Sequence, residues 1–477
     1  MLAKALMLLS GNAAASVLLL ARNLIVARLI PVEDYGIAAT FAVTMALVEM
    51  STQFGLQQQI IQSKDGEDIR FQSALQGFQV IRGVFAGAML FALAGPIAAF
   101  LRIPDVAWAY QVMATLPVLR SFQHFDIHRL NRALRYGPLL LTGVIPAIVS
   151  LAIVWPLALW LGDYRVMLFA LVVHEALGAV TSHLVAERPY RLVFDRAIMA
   201  GSLRFGWPLL LNGMLLFLVM QGDKLIVGRE LGMVALGIFG MGITLTLTPT
   251  LILAKSTQNF FLPQLSAAAS NTDGPEQTRF EHVARAAFQA ALLNGTILIL
   301  GVFFLGLPLV QILLGDKYAA LQPLMIWLAV QQGLRVFKSG PSTAAVARAV
   351  TSNAMWPNLL RVAAFPVIWI SVQNGGGLGD VIVIALIAEA LGYAFALVLA
   401  QVRLGVVLRP LVPSLLVTST VIAAAMILPA VGQNGSAMLA NLALFMLAPV
   451  LLLASMGDLR RYARTTFGPA AQRKASL

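Results

Sequence analysis

The chain has 477 residues, of which 59% are hydrophobic and only 11% are charged. A soluble globular protein carries about 45–50% apolar and about 25% charged residues, so the composition indicates a polytopic membrane protein. The absence of cysteine excludes disulfides, thiolate nucleophiles and cysteine-ligated metals. The formal net charge is +12, but the basic residues lie mostly in short connectors between apolar runs. We therefore attribute the charge to membrane topology and expect no nucleic-acid partner.

Fourteen apolar segments follow one another along the chain, each close to the ~20 residues that a membrane-spanning helix needs. The first begins like a signal peptide, with Lys4 before an apolar run, but its apolar character continues through Leu20 and Ile25. This continuation predicts an uncleaved first span. The predicted spans are 5–30, 36–55, 74–100, 107–124, 137–161, 165–186, 204–228, 233–255, 285–314, 319–340, 343–370, 381–402, 411–431 and 437–457.

Positive charge collects on alternate connectors. If the N-terminus and every second connector share one side, that side holds about 26 of the 33 Lys and Arg residues. Because positive charge is retained on the cytoplasmic side, we expect both termini in the cytoplasm and an even number of spans.

A segment near the N-terminus recurs about 201 residues later. The run RNLIVARLIPVEDYGI aligns with DKLIVGRELGMVALGI, and the register matches Arg28 with Arg229 and Gly36 with Gly237. Six predicted spans separate the copies, so both run in the same direction. The sequence therefore predicts a parallel internal repeat, with a binding site where its halves face each other.

The repeat predicts the domain organisation. An N-terminal six-helix lobe covers 1–190, a cytoplasmic inter-lobe connector 191–203 and a C-terminal six-helix lobe 204–405. Two extra transmembrane helices at 406–460 have no counterpart in the first lobe, and a basic cytoplasmic tail at 461–477 follows. The predicted fold is therefore all-α, with about 14 transmembrane helices in two lobes related by a pseudo-two-fold axis.

Cations inside the apolar spans are candidates for substrate binding, because an ionisable side chain at membrane depth usually faces a wet interior. Arg22 lies roughly 13 Å from the outer end of the first span at 1.5 Å per residue, where it can line a cavity or snorkel to the surface. In the repeat register it corresponds to Asp223, beside Lys224. Lys255 and Arg335 are further candidates, although both lie near cytoplasmic span ends and can be topology charges.

Four acidic residues are candidates for ion coupling. Glu49, Glu175 and Glu389 each interrupt an apolar run, and a carboxylate in apolar surroundings favours its neutral form and can carry a proton near neutral pH. Asp223 joins them through the repeat register. The structural alternative is a carboxyl group hydrogen-bonded to a neighbouring helix or paired with an arginine.

Several kinds of chemistry lack their motifs. No G-x-x-x-x-G-K-[ST] occurs, which excludes nucleotide hydrolysis through a P-loop. His124 and His128 in HFDIH have an i, i+4 spacing without a further ligand, so we expect no zinc and no other cofactor. No predicted external connector is long enough for a catalytic domain, which disfavours a glycan polymerase.

The repeat segments also carry a family resemblance. The run ARNLIVARLIPVEDYGIAATF and the second-lobe QGDKLIVGRELG, followed by LGIFGMGITLTLTPTLILAKSTQNFFLPQLS, resemble the Wzx-like polysaccharide exporters of the multidrug/oligosaccharidyl-lipid/polysaccharide exporter superfamily, over nearly the whole chain. The resemblance implies a bacterial cytoplasmic (inner) membrane transporter that flips polyprenyl-pyrophosphate-linked oligosaccharides. RNLIVARLIP also resembles the first span of lipid II flippases, whose first-span arginine lines a basic cavity. Arg22 falls on that arginine, but Asn23 replaces the following aspartate, so a role for an Arg–Asp pair does not carry over.

The leading functional prediction is an ion-coupled flippase that works by alternating access. Its cargo would be a precursor of O-antigen, exopolysaccharide or capsule, bound at its pyrophosphate by Arg22, Lys224, Lys255 and Arg335 through charge-assisted hydrogen bonds. Coupling to protons or sodium and contacts with a glycan polymerase or assembly proteins follow as expectations. No bond is broken, so the prediction is a transporter and not an enzyme.

Three alternatives remain open. A multidrug or cation antiporter of the same superfamily should have an acidic, aromatic cavity for an organic cation. A membrane glycan polymerase or glycosyltransferase needs a catalytic carboxylate or base in a sizeable water-exposed connector. The third alternative is a non-transporting scaffold for glycan assembly.

Overall fold

The computed structural model describes residues 2–269, 275–350, 352–427 and 435–467, and every regular element in these ranges is helical. The first half contains α1 (Leu2–Leu29), α2 (Val32–Ser51), α3 (Leu56–Gln62), α4 (Ile69–Phe100), α5 (Ala107–Met113), α6 (Thr115–Ser121), α7 (Asp126–Arg132), α8 (Gly137–Leu161), α9 (Arg165–Leu184) and α10 (Arg196–Ile226). The second half contains α11 (Gly232–Ala268), α12 (Pro275–Leu314), α13 (Met325–Ala347), α14 (Ser352–Gln373), α15 (Leu378–Leu404), α16 (Val412–Ile427), α17 (Gly435–Ser455) and α18 (Gly457–Phe467). The predicted all-α class is confirmed.

Eight helical segments within the described residues are long and apolar enough to cross a membrane, or nine if the bent pair α2 and α3 forms one span. A π-helical turn at Val227–Leu231 joins α10 and α11, so these two predicted spans form one continuous helical segment. The predicted span 107–124 holds two seven-residue helices, α5 and α6. The polytopic membrane class is thus confirmed, while the total of fourteen spans stays a prediction. The end of the predicted span 411–431 and the tail beyond residue 467 lie outside the described residues.

The chain forms two compact units, Met1–Gly240 and Met241–Leu477. The largest buried apolar cluster of unit 2 surrounds α12 and includes Phe280, Phe288 and Phe337. In unit 1 a smaller cluster joins α3, α4 and the segment before α7.

Helix α10 begins inside the predicted connector 191–203. Asp195 caps its N-terminus, because its carboxylate accepts hydrogen bonds from the backbone N–H groups of Ala197 and Ile198. Arg70 of α4 donates to the same carboxylate at 2.8 Å. The irregular part of the connector therefore ends at residue 195, eight residues earlier than predicted.

The repeat appears in unit 1 as a reciprocal contact. The Cα of Gly36 lies so close to the carbonyl oxygen of Met233 that a Cβ there would overlap it, and Gly237 has the same relation to the carbonyl oxygen of Val32. Val32 and Met233 are themselves 201 residues apart, as are Gly36 and Gly237. A contact in which i meets j and j meets i is the signature of two-fold symmetry. This reciprocity supports the repeat register that the sequence predicts.

Candidate functional site

Three helices of unit 2 bring three cations around one buried acid. Arg335 and Lys338 of α13 lie 2.7 Å (Nε to Oε1) and 2.5 Å (Nζ to Oε2) from the carboxylate of Glu389 on α15. Arg361 of α14 lies 3.0 Å from it (Nη1 to Oε1). The side chains of Glu389 and Arg361 are 1% and 2% exposed, and those of Arg335 and Lys338 are 14% and 11% exposed. We call these four residues the unit 2 cluster.

The unit 2 cluster carries two positive charges in excess of its one carboxylate. Gln331 adds a neutral acceptor, since its amide oxygen, turned toward Arg361, lies 2.9 Å from Nη1. Gln332 also accepts from Arg335 at 3.4 Å. Cations grouped in this way attract anionic ligands. Such a cluster is suited to a phosphate or pyrophosphate group.

The local sequence explains why these side chains converge. On α13, Gln331, Arg335 and Lys338 recur at helical spacings of four and three, so they share one face. That face is buried along much of the helix. Helix α13 therefore carries a polar stripe where a lipid-exposed helix would carry apolar residues.

Unit 1 has an equivalent constellation, whose residues lie 211 to 215 positions before their counterparts in unit 2. The motif L-R-x-F occurs on α6 with Arg120 and on α13 with Arg335, and E-A-L-G occurs on α9 with Glu175 and on α15 with Glu389. The glycines that end the two E-A-L-G motifs have equivalent neighbours. A Cβ at Gly178 would meet Gln123 and Pro146, whereas one at Gly392 would meet Lys338 and Pro357.

The unit 1 constellation therefore consists of the counterparts of the four residues in the unit 2 cluster. They are Arg120, Gln123, Ser150 and Glu175, where Ser150 and Arg361 each lie four residues after the matched proline. Gln123 replaces a lysine and Ser150 replaces an arginine. The unit 1 constellation is consequently neutral.

Arg22 enters the unit 1 constellation from α1. It is 6% exposed, and its Nη1 donates to Ser150 Oγ at 3.0 Å, while Ser150 Oγ donates to the carbonyl oxygen of Ala170 at 3.0 Å. The Nε of Arg22 is buried without a hydrogen-bond partner among the described residues. Arg22 therefore does not snorkel to the surface of unit 1, because its guanidinium is held against α8.

The predicted coupling acids of unit 1 differ in their partners. Glu49 of α2 is half-exposed and forms an ion pair with Arg120. Glu175 is within electrostatic range of Arg120 and Arg22, but it forms no ion pair with another residue of the described chain. Glu389 of unit 2, by contrast, is not isolated as the apolar run around it suggested, since it pairs with three cations.

The remaining predicted residues lie elsewhere. Asp223 is 6% exposed on α10. Lys224, its neighbour, lines an apolar cavity of about 270 Å³ in unit 1, beside Thr40 and Phe217. Lys255 is exposed on α11, and its side chain makes no hydrogen bond or ion pair within the described ranges. The structure thus groups Arg335 with Glu389, and Arg22 near Glu175, and does not add Lys255 to either group.

Sequence reasoning missed Lys338, Arg361 and Ser150 as members of these groups. The register of 201 residues aligns the beginning of the repeat but not the later part, where Arg120 and Arg335 are 215 residues apart. The recurrence of L-R-x-F and E-A-L-G is the signal that could have found them.

The HFDIH segment serves a structural role. Asp126 is fully buried, and its carboxylate accepts from Arg129 at 2.5 Å and from the backbone N–H of Glu187 at 2.8 Å. Burial alone would raise the pKa of Asp126, but these hydrogen bonds outweigh it and hold the pKa below its ordinary value. His128 packs edge-on against Phe125, and burial lowers its pKa to about 4. No group of three His, Asp or Glu side chains suited to a metal occurs in the part of the chain that the structure describes.

Comparison with known proteins is consistent with this architecture. The family model for "Polysaccharide biosynthesis protein" matches residues 25–323. Lipopolysaccharide biosynthesis protein WzxC of Escherichia coli K12 is 23% identical over 366 residues, which cover 74% of this chain and 72% of that protein.

Solved transporter structures share the fold. The lipid II flippase MurJ in its inward closed conformation superposes with a TM-score of 0.71 and 13% identity, over 96% of this chain and 99% of that one. A multidrug resistance MATE family transporter of the MOP superfamily, inward-facing, gives a TM-score of 0.66 at 14% identity, over 82% and 94% of the two chains. The chain is a multi-pass membrane protein of the MOP-superfamily fold and belongs to the polysaccharide biosynthesis protein family.

Proposed function

We propose that this protein flips polyprenyl-pyrophosphate-linked oligosaccharides from the inner to the outer leaflet of a bacterial cytoplasmic membrane, with both termini in the cytoplasm. Membership of the polysaccharide biosynthesis family and the flippase-like fold support a transporter of this kind. The observation that carries the substrate class is the cationic excess of the unit 2 cluster. A pyrophosphate is a localised anion that arginine and lysine bind through strong charge-assisted hydrogen bonds.

Arg335 is the first pyrophosphate ligand in this proposal. It and Lys338 are the more exposed members of the unit 2 cluster, so a headgroup can reach them without displacing Arg361. Arg22 of unit 1 retains an unused Nε donor, and Lys224 lines an apolar cavity that suits a lipid chain beside an ammonium group. Lys255, which is exposed, is assigned to the first attraction of the anion.

Ion coupling is assigned chiefly to Glu175. Its carboxylate forms no ion pair among the described residues but lies in the field of two arginines, so gain or loss of a proton there changes the charge of the constellation. Glu49 and Asp223 are secondary candidates. Glu389 has the weakest support, because neutralising it would remove the carboxylate that three cations of the cluster share.

A cation antiporter has less support from these sites. An organic cation requires acidic or aromatic surroundings, whereas the unit 2 cluster has a cationic excess. Coupling to protons or sodium, and contacts with a glycan polymerase or other assembly proteins, belong to the same proposal.

Complementation tests the proposal. The full chain is expressed in bacterial hosts that lack their own oligosaccharide flippase and carry different O-antigen or exopolysaccharide loci. We expect wild type to restore surface polysaccharide in at least one host and Arg335→Ala to abolish it, while the lipid-linked repeat unit accumulates. Arg409→Ala, an exposed cytoplasmic-end arginine outside the cluster, is the matched control and should export normally.

Two results would contradict the proposal. One is normal polysaccharide from Arg335→Ala at wild-type expression, which would remove the pyrophosphate role of the cluster. The other is failure of wild type in every host combined with increased resistance to cationic drugs, which would favour the antiporter.

A further inference from the structure

Unit 1 contains a polar cavity of about 200 Å³ that the argument for pyrophosphate binding does not use. It lies where α2 ends, α3 begins, and α4 and α6 pass beside them. Its polar lining consists of Glu49, Thr52, Gln53, Gln57, Gln58, Gln79, Arg82 and Arg120.

The bend between α2 and α3 shapes this cavity. The two helices meet at an angle of 48°, and Gly55 adopts a left-handed φ of 64° that a side chain would disfavour. Arg82 of α4 stabilises the bend by donating from Nη1 to the carbonyl oxygen of Thr52 at 2.7 Å. The Nε of Arg82 is buried and has no partner among the described residues.

Neighbouring glutamines show which amides the fold itself requires. Gln59 of α3 exchanges hydrogen bonds with Ser202, accepting from its hydroxyl at 2.7 Å. Gln76 of α4 donates to the carbonyl oxygen of Gln123 at 3.0 Å and accepts from the N–H of Phe125 at 2.8 Å. Both of these amides are buried and used to join segments of unit 1.

The glutamines of the cavity are different. The side chains of Gln53, Gln57, Gln58 and Gln79 make no hydrogen bond to another described residue, although Gln79 is only 5% exposed. Gln53, Gln57 and Gln58 are exposed side chains that line the cavity, so their amides are available to a solute there. Gln79 is buried, and because a buried amide without a partner is costly, its donor and acceptor need a partner from the cavity.

The lining chemistry identifies the class of ligand. Each amide offers both a donor and an acceptor, which matches a hydroxyl group that also donates and accepts. The charged lining residues are two arginines and one carboxylate, and Arg120 and Glu49 already pair with each other. A neutral, hydroxyl-rich group fits this lining better than a pyrophosphate does. A pyrophosphate would find one guanidinium without a carboxylate partner, that of Arg82, instead of the several cations of the unit 2 cluster.

We propose that this cavity is a carbohydrate subsite, in which the amides of Gln53, Gln57, Gln58 and Gln79 bind hydroxyl or acetamido groups of one sugar residue. The proposal rests on the flippase function and deepens it, since it assigns recognition of the glycan to this cavity of unit 1 and leaves recognition of the anion chiefly to the unit 2 cluster. Substitutions in the cavity should therefore change which glycans are exported, while substitutions in the cluster should impair export of all of them.

Thiol protection tests occupancy directly, because the chain has no cysteine of its own. Full-length Gln58→Cys in lipid nanodiscs is labelled with a maleimide in the presence of a polyprenyl pyrophosphate that carries one N-acetylhexosamine, or of the same lipid without sugar. At about five times its Kd the sugar-bearing lipid should slow labelling about sixfold, and the sugar-free lipid should not. Gln62→Cys, an exposed residue of the same helix outside the cavity, is the control and should label at one rate throughout.

Equal protection by both lipids would mean that the cavity holds the pyrophosphate and would overturn the proposal. Protection by neither, with normal polysaccharide export by wild type, would also overturn it.

A matched pair of variants on α4 separates binding from folding. Gln79→Leu should weaken binding of the sugar-bearing lipid about three- to tenfold, leave binding of the sugar-free lipid unchanged and keep the thermal unfolding midpoint. Gln76→Leu, three residues earlier, should lower the midpoint because it breaks hydrogen bonds of the fold. If Gln79→Leu weakens both lipids equally, or destabilises the protein as Gln76→Leu does, the subsite assignment is wrong.

The two proposals fail in distinguishable ways. If the flippase function is wrong, wild type restores no polysaccharide and neither lipid protects Gln58→Cys. If only the carbohydrate subsite is wrong, wild type restores polysaccharide and Gln79→Leu exports the same glycans at the same rate.

Discussion

The two units place different net charges at matched positions of their helices. In unit 1 the matched positions are Arg120, Gln123, Ser150 and Glu175, and their formal charges cancel. In unit 2 the corresponding positions carry two more cations, so that three cations in all contact a single carboxylate. The difference resides in two substitutions, Gln123 for Lys338 and Ser150 for Arg361. A Cβ at Gly178 would meet the side chain of Gln123, as one at Gly392 would meet that of Lys338.

Under the proposed function, this contrast lets a duplicated scaffold divide the recognition of one substrate. A lipid-linked oligosaccharide has a compact anionic part and a large hydroxyl-rich part, which need different ligands. Unit 2 provides the cations, and unit 1, with its amide-lined cavity, provides neutral donors and acceptors.

The largest effect on stability should come from removing the acid of the unit 2 cluster, with removal of the acid of the unit 1 constellation as the comparison. Glu389→Gln leaves three buried cations without their carboxylate and should destabilise the protein by about 3–5 kcal/mol. Glu175→Gln should cost far less, because Glu175 forms no ion pair within the described residues. The thermal unfolding midpoint and the monodisperse fraction in detergent measure both effects.

A compensating variant keeps this test informative if Glu389→Gln does not fold. Adding Lys338→Gln reduces the number of uncompensated cations and should recover part of the folded fraction. Equal destabilisation by Glu389→Gln and Glu175→Gln would contradict the electrostatic difference between the units.

Making unit 2 resemble unit 1 should weaken anion binding. Lys338→Gln places the residue of unit 1 at the matched position and removes one charge-assisted hydrogen bond, worth about 1.5–3 kcal/mol. Binding of a sugar-free polyprenyl pyrophosphate should therefore weaken by at least about tenfold, as measured by calorimetry in nanodiscs. The control Arg409→Gln removes an exposed arginine outside the cluster, and a similar loss there would point to a general charge effect.

The reciprocal glycine contact offers a symmetric test of the repeat. Gly36→Ala and Gly237→Ala each place a Cβ against a backbone carbonyl that cannot rotate away, so each should destabilise the protein by about 1–3 kcal/mol. At Gly240 the Cβ would lie 3.5 Å from that of Ala39, an ordinary contact. Gly240→Ala should therefore be neutral or slightly stabilising in the same thermal assay, and a matching loss from all three variants would count against the reciprocal contact.

The smallest expected effect is the pH dependence of stability that His128 causes in the connector of unit 1. The pKa of His128 falls from 6.5 to about 4 on burial, so between these pH values the unfolded chain binds a proton that the folded chain does not. Stability should decrease as the pH falls from about 6.5 to about 4, by at most about 1.4 kcal/mol per pH unit. His128→Phe removes this term, and its unfolding midpoint should depend less on pH than that of wild type across this interval. Parallel pH profiles for the two proteins would refute the assignment.

Much of the fold could be predicted from the sequence, because a membrane helix is a local structure. Each span satisfies its own backbone hydrogen bonds and needs only an apolar run of sufficient length. This explains why the all-α class could be predicted from the apolar runs. The repeat could be predicted because Gly36 and Gly237 recur in the same register. The break at Ala114 and the continuity of α10 with α11 could not, since turns and π-bulges inside apolar runs leave no hydropathy signal.

The candidate sites, like the fold, could be predicted only in part from the sequence. The sequence alone determined that Arg22, Glu175 and Glu389 interrupt apolar spans and that Arg335 lies near a span end, because composition and spacing decide what each span contains. Only the tertiary structure decided their partners. Glu389 lies 54 residues from Arg335 and 28 from Arg361 along the chain, and the rotation and packing of three helices determine whether those charges meet. The same packing decided that Gln76 is bonded within the fold while Gln79, one turn later, faces an open cavity.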